Sequence, residues 1–70
     1  MAIQPGTRVE VITALGERVV MRALHGPEQG HDFEVVWVAT EKEYEEATRV
    51  GREPDGLPWP AESVRVLERL

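Results

Sequence analysis

The chain has 70 residues, a formal net charge of −5, 41% hydrophobic and 30% charged content, and no cysteine. That is room for one small domain, with no disulfide to staple the core and no thiolate to hold zinc. The acidic balance argues against broad phosphate binding, and no apolar run reaches the roughly 20 residues of a membrane span.

Met1-Ala2-Ile3-Gln4-Pro5 does not read as a signal peptide, so the expectation is a cytoplasmic protein. Seven of the eight basic residues are Arg and there is no Asn, a bias that a GC-rich genome explains. The acidic excess is local. Residues 1–31 balance at zero, whereas residues 32–53 hold seven acidic and three basic side chains, centred on Glu41-Lys42-Glu43-Tyr44-Glu45-Glu46.

Residues 7–12, Thr7-Arg8-Val9-Glu10-Val11-Ile12, alternate in polarity and read as a half-buried strand after the turn signal Pro5-Gly6. Residues 18–24 read as a second strand. A three-residue loop, Ala14-Leu15-Gly16, sets Val11 against Val19 and Val9 against Met21, with Gly16 at the position that wants a left-handed backbone. Residues 24–32 contain His25-Gly26-Pro27 and Gly30-His31-Asp32 and read as a loop. Residues 33–39 form the third strand, with Phe33, Val35 and Trp37 on the inward face. Pairing Met21 with Val35 would then set Arg22 opposite Glu34.

At Thr40 the period switches from two to 3.6. Thr40 and Glu43 fit a capping box, Arg49 falls in the last turn, and Gly51 suits the C′ position, so residues 41–50 are expected to be helical. Tyr44, Ala47 and Val50 form the apolar stripe. Residues 52–60 carry Pro54, Pro58 and Pro60 and read as turns. Residues 63–67 read as a last short strand, and Glu68-Arg69-Leu70 is expected to fray.

The order β-β-β-α-β makes a mainly β fold with one helix: a small SH3-like, partly open barrel, or alternatively an open antiparallel sheet with one packed helix. Two resemblances bear on this. Trp37-Val38-Ala39-Thr40-Glu41-Lys42-Glu43-Tyr44, followed by Gly51-Arg52-Glu53-Pro54-Asp55-Gly56-Leu57-Pro58-Trp59-Pro60, resembles the C-terminal half of small uncharacterised proteins of actinobacteria and their phages. It covers about residues 35–67 and implies an intracellular protein with a reusable function. Gly56-Leu57-Pro58 through Val64 is similar in layout to the segment that closes SH3-like barrels, which implies the barrel. Neither resemblance carries an activity, and the ten-residue helix departs from the simplest SH3 layout.

Ser63 is the only serine, and His25 and His31 lie in one short segment, so no nucleophile–base–orienter set can be assembled and no catalytic residue is assigned. His25, His31 and Asp32 are the one candidate metal set, but they lack the closed four-ligand pattern and read as ordinary loop residues, so no metal and no cofactor is expected. Arg8, Arg18 and Arg22 offer a basic patch, yet Glu10 and Glu34 flank it and few aromatics are available for base stacking. Trp59, bracketed by prolines, reads as a plug over one end of the barrel or as a rigid anchor for a partner.

If Val9, Val11, Val19, Met21, Val35, Trp37 and Val64 point inward, then Val20, Leu24, Val36 and Val38 point outward, where solvated strands carry polar residues. The expectation is partial cover by Tyr44 and the rest of the helix stripe. An apolar rim near Val20 and Val36 would remain for a partner or a second copy. The partner-binding candidates are therefore Val20, Val36, Val38, Trp59 and Tyr44. The functional expectation is a non-enzymatic protein-interaction or regulatory module that binds a protein or itself; the alternative is a nucleic-acid-associated accessory barrel.

Overall fold

Side-chain alternation and turn chemistry lead to a five-stranded antiparallel sheet with one helix laid against it. The structure is a computed structural model that describes residues 3–67; the expectation for Glu68-Arg69-Leu70 falls outside them. The elements are β1 (Arg8–Ile12), β2 (Arg18–Gln29), β3 (Glu34–Thr40), α1 (Glu41–Val50), β4 (Leu57–Pro60), a 3₁₀ turn (Ala61–Ser63) and β5 (Val64–Val66). Strand order across the sheet is β4-β3-β2-β1-β5.

The two edge strands are separated by only the 3₁₀ turn. Four strand spacings in a flat sheet would span roughly 19 Å, whereas the chain from Pro60 to Val64 reaches at most about 14 Å. The sheet must therefore curl. No ladder joins β4 to β5, so it stays open. The open sheet with a packed helix is the arrangement adopted, and the barrel does not close.

Local signals decide the hairpin and the helix. Gly16 has φ 82°, Thr13 N–H donates to the Glu17 carbonyl, and the register pairs Val11 with Val19 and Val9 with Met21. Thr40 Oγ1 accepts from Glu43 N–H at 3.0 Å, and Gly51 closes the helix with φ 78° while donating to the Ala47 carbonyl. Only half of the capping box forms. The Glu43 carboxylate does not turn back to Thr40; it engages Arg52 and the Asp55 amide instead.

Three expectations need correction. Residues 24–29 continue β2 instead of forming a loop. Irregularities between Ala23 and His25 and between His25 and Glu28 absorb the unpaired residues, so Gly26-Pro27 sits in the strand without ordinary ladder pairing. The register slips accordingly: Met21 faces Thr40, Arg22 faces Ala39 and Val35 faces Glu28, so Arg22 does not meet Glu34.

Residues 57–60 form an edge strand and not a turn. All four residues have partners on β3, and Pro58 and Pro60 take the alternate positions at which an edge strand does not need an N–H donor.

The parity of β3 is the reverse of the expected one. Val36 and Val38 join Val9, Val11, Met21 and Ala23 in the core, against which Ile3, Trp59, Ala61, Val64 and Val66 pack. Trp37 lies on the opposite face and is only half-buried, Phe33 is exposed, and Val19 sits exposed at the end of the core. Ala47 is the buried residue of α1, Tyr44 is half-buried, and Val50 overhangs the sheet at 60% exposure.

Candidate protein-interaction surface

The sheet face opposite the core is divided in two. Its first half carries Arg8 and Arg22, cross-strand partners, with Ala39 beside Arg22. Helix α1 covers this half. One carboxylate oxygen of Glu41 accepts from Arg8 Nε at 3.2 Å and from Arg22 Nε at 3.1 Å. The Arg22 guanidinium lies over the Tyr44 ring at 5.5 Å, and its Nη1 donates to the Gly6 carbonyl at 2.8 Å. The guanidinium is thus held by an aromatic face, a carboxylate and a carbonyl together.

The second half has no helix over it. The Trp37 and His25 rings stack there, with centroids 5.8 Å apart and an interplanar angle of 26°. Trp37 Nε1–H donates to Glu28, whose other oxygen lies 3.8 Å from His25 Nδ1. Pro58 pairs with Trp37 and Pro60 with Val35 across the β3–β4 ladder, which places both prolines beside the indole. The chain turns through Gly30 to Phe33 and leaves Phe33 52% exposed at the margin. A groove of about 370 Å³ runs between that turn, Trp37 and the two prolines. A second groove, about 460 Å³, separates Trp37 from Tyr44 and Thr48 of the helix. Trp37 is the wall common to both.

The five partner-binding candidates are not brought together. Val36 and Val38 are 2% and 0% exposed and belong to the core, so they cannot form an apolar rim. The reason is the reversed parity of β3. Trp59 packs against that core and its Nε1–H donates to the Ile12 carbonyl at 3.2 Å, the arrangement of a plug. Tyr44 lies under Arg22 on the helix side. Val20 remains exposed, near the end of the hairpin with Ile12, Leu15 and Val19.

Trp37, Phe33, Pro58 and Pro60 were missed as surface residues. Alternation alone put Phe33 and Trp37 inward; the Pro58/Pro60 alternation is a signal for the edge strand beside them, but nothing local fixes which face of β3 turns outward.

The expected neutraliser of the arginines is also only partly right. Glu10 lies 3.9 Å from Arg18, but Glu41 holds Arg8 and Arg22, and Glu34 lies at the far end of the sheet beside Gln29. Among the described residues, no group of three or more His, Cys, Asp or Glu side chains is placed to hold a metal ion. No helix among them is long and apolar enough to cross a membrane. No protein-family model matches the chain, and no curated protein or solved structure matches it.

Proposed function

We propose that this domain is a non-enzymatic protein-interaction or regulatory module of the cytoplasm, and that its contact surface is the open half of the sheet around Trp37. One observation carries the reading: α1 covers the arginine-bearing half of the outer sheet face and leaves the Trp37–His25 stack, Phe33, Pro58 and Pro60 beside a groove. Rigid aromatics and prolines contribute contact area at little ordering cost. The curled sheet supports a partly open small barrel of SH3-like layout. The resemblance of residues 35–67 to small proteins of actinobacteria and their phages goes with a module reused in several settings.

The nucleic-acid alternative loses support from the arginines, since Arg8, Arg18 and Arg22 all lie beside carboxylates. Self-association is the second reading, favoured by exposed Ile12, Leu15, Val19 and Val20 at the hairpin end. Two measurements separate these. A photo-crosslinking phenylalanine analogue at position 33 should capture a discrete protein from the native cytoplasm, and the same analogue at Leu15 should not. Equal labelling from both positions, or none, overturns the assignment of the groove. Sedimentation should give a monomer; a dimer that Val20→Glu dissociates would establish the second reading.

A further inference from the structure

We infer that the groove beside Trp37 receives the cationic side chains of a basic, arginine-containing segment of a partner protein; this rests on the interaction reading and specifies its ligand chemistry. Residues 23–41 contain no Lys or Arg but hold Glu28, Asp32, Glu34 and Glu41. Glu28 and Asp32 line the groove together with His31, Phe33, Trp37, Pro58 and Pro60, so its wall combines carboxylates and aromatic rings and contains no Lys or Arg. Among the described residues the Asp32 carboxylate makes no ion pair or hydrogen bond, and the chain as a whole carries −5.

The covered half of the same face shows how such a surface treats a guanidinium. There Arg22 lies on the Tyr44 ring with its Nε on Glu41. In the open half Trp37 is stacked on His25 and Glu28 is bonded to the indole, while the Asp32 carboxylate and the exposed Phe33 ring stand beside them without an Arg or Lys. A guanidinium or ammonium group entering it would gain ring-face attraction and a charge-assisted hydrogen bond. At about 370 Å³ the groove is near the lower end of ligand-pocket volumes, which suits one or two side chains. Strand addition cannot supply the affinity, because Pro58 and Pro60 strip the outer edge of β4 of donors. Recognition therefore runs through side chains. The negative wall disfavours a nucleic-acid backbone.

The test titrates the full-length chain, labelled for amide and indole NMR, with a twelve-residue peptide of alternating Arg and Gly. Matched peptides carry citrulline or Glu in place of Arg, and a single-stranded oligothymidine is run in parallel. The Arg peptide should shift the Trp37 indole N–H and the amides of Asp32 and Phe33, with an affinity that falls as salt rises. Phe33→Ala and Asp32→Asn should each weaken it about threefold, the size of one exposed cation–π contact or ion pair. Asp32 is exposed and unpaired, so Asp32→Asn keeps the test valid even if Phe33→Ala unfolds.

Equal binding of the citrulline peptide in the groove would overturn the cationic occupant while leaving the interaction reading standing. Shifts confined to Glu45, Glu46 and Glu53, no binding of the Arg peptide, or tighter binding of the oligonucleotide would overturn the proposal. The interaction reading itself fails separately, through the crosslinking at position 33.

Discussion

The Arg52 guanidinium grips the Glu43 carboxylate at both oxygens, with distances of 2.6 and 3.2 Å. This ties the segment after α1 to the first turn of the helix, and the Asp55 N–H adds a third bond to Glu43 at 2.9 Å. The hydrogen bonds from Arg52 and then from the Asp55 backbone lower the Glu43 pKa to about 2.

Acid should release this tie. The folded value lies below the ordinary 4.5, so the stabilisation is complete above that pH and is lost as the pH falls toward 2. The melting temperature of Glu43→Gln should therefore depend less on pH across that window than that of the parent. Parallel curves for the two proteins would show that the pair does not couple to folding. The contact is exposed, so added salt should shrink the difference.

The reversed parity of β3 has a direct mutational consequence. Val36→Glu would place an unpaired carboxylate in the core, and the domain should fail to fold. Val38→Ala removes the equivalent of two buried carbon groups and should cost about 2 kcal/mol. Urea unfolding followed by circular dichroism measures both. A Val36→Glu protein with the parent's midpoint would mean that residue 36 faces solvent.

Gly26 and Gly16 both have positive φ, 130° and 82°, but their surroundings differ. A Cβ at position 26 would lie 3.0 Å from the Val35 carbonyl oxygen and 3.1 Å from the Val36 Cα, whereas nothing lies within 4 Å at position 16. Gly16→Ala should cost about 1 kcal/mol from backbone strain alone. Gly26→Ala adds a clash with backbone that cannot swing away and should cost about 2 kcal/mol or more. Equal melting temperatures for the two variants would contradict the close approach of β2 to β3.

Thr40 caps α1 through its hydroxyl, and removing that acceptor should cost about 1 kcal/mol. Thr40→Ser should retain most of the stability and Thr40→Ala should not. Thermal unfolding compares them, and backbone chemical shifts would locate the loss in the first helical turn.

What the sequence determined by itself was the local structure. The helix over Glu41–Val50 follows from a period of 3.6, an N-cap hydroxyl and a left-handed glycine, all acting within a few residues of one another. The β1–β2 register follows from a three-residue loop closed by Gly16, because a hairpin loop sets which residues meet across it.

The facing of β3 was decided only by the tertiary structure. Val35-Val36-Trp37-Val38-Ala39 is apolar on both sides, so alternation gives two face assignments and no preference between them. The choice came from what lies on either side: the core packs on Val36 and Val38, whereas on the other face Ala39 is buried and Trp37 stands across a groove from Tyr44 and Thr48 of the helix. The continuation of β2 through Gly26-Pro27 was hidden for a related reason. Turn-forming residues in a bulged strand look like a loop until the partner strand supplies the pairing around them. The candidate surface inherits both effects, since Trp37, His25, Pro58 and Pro60 meet only after β2 has been extended, β3 assigned its faces and β4 added at the edge.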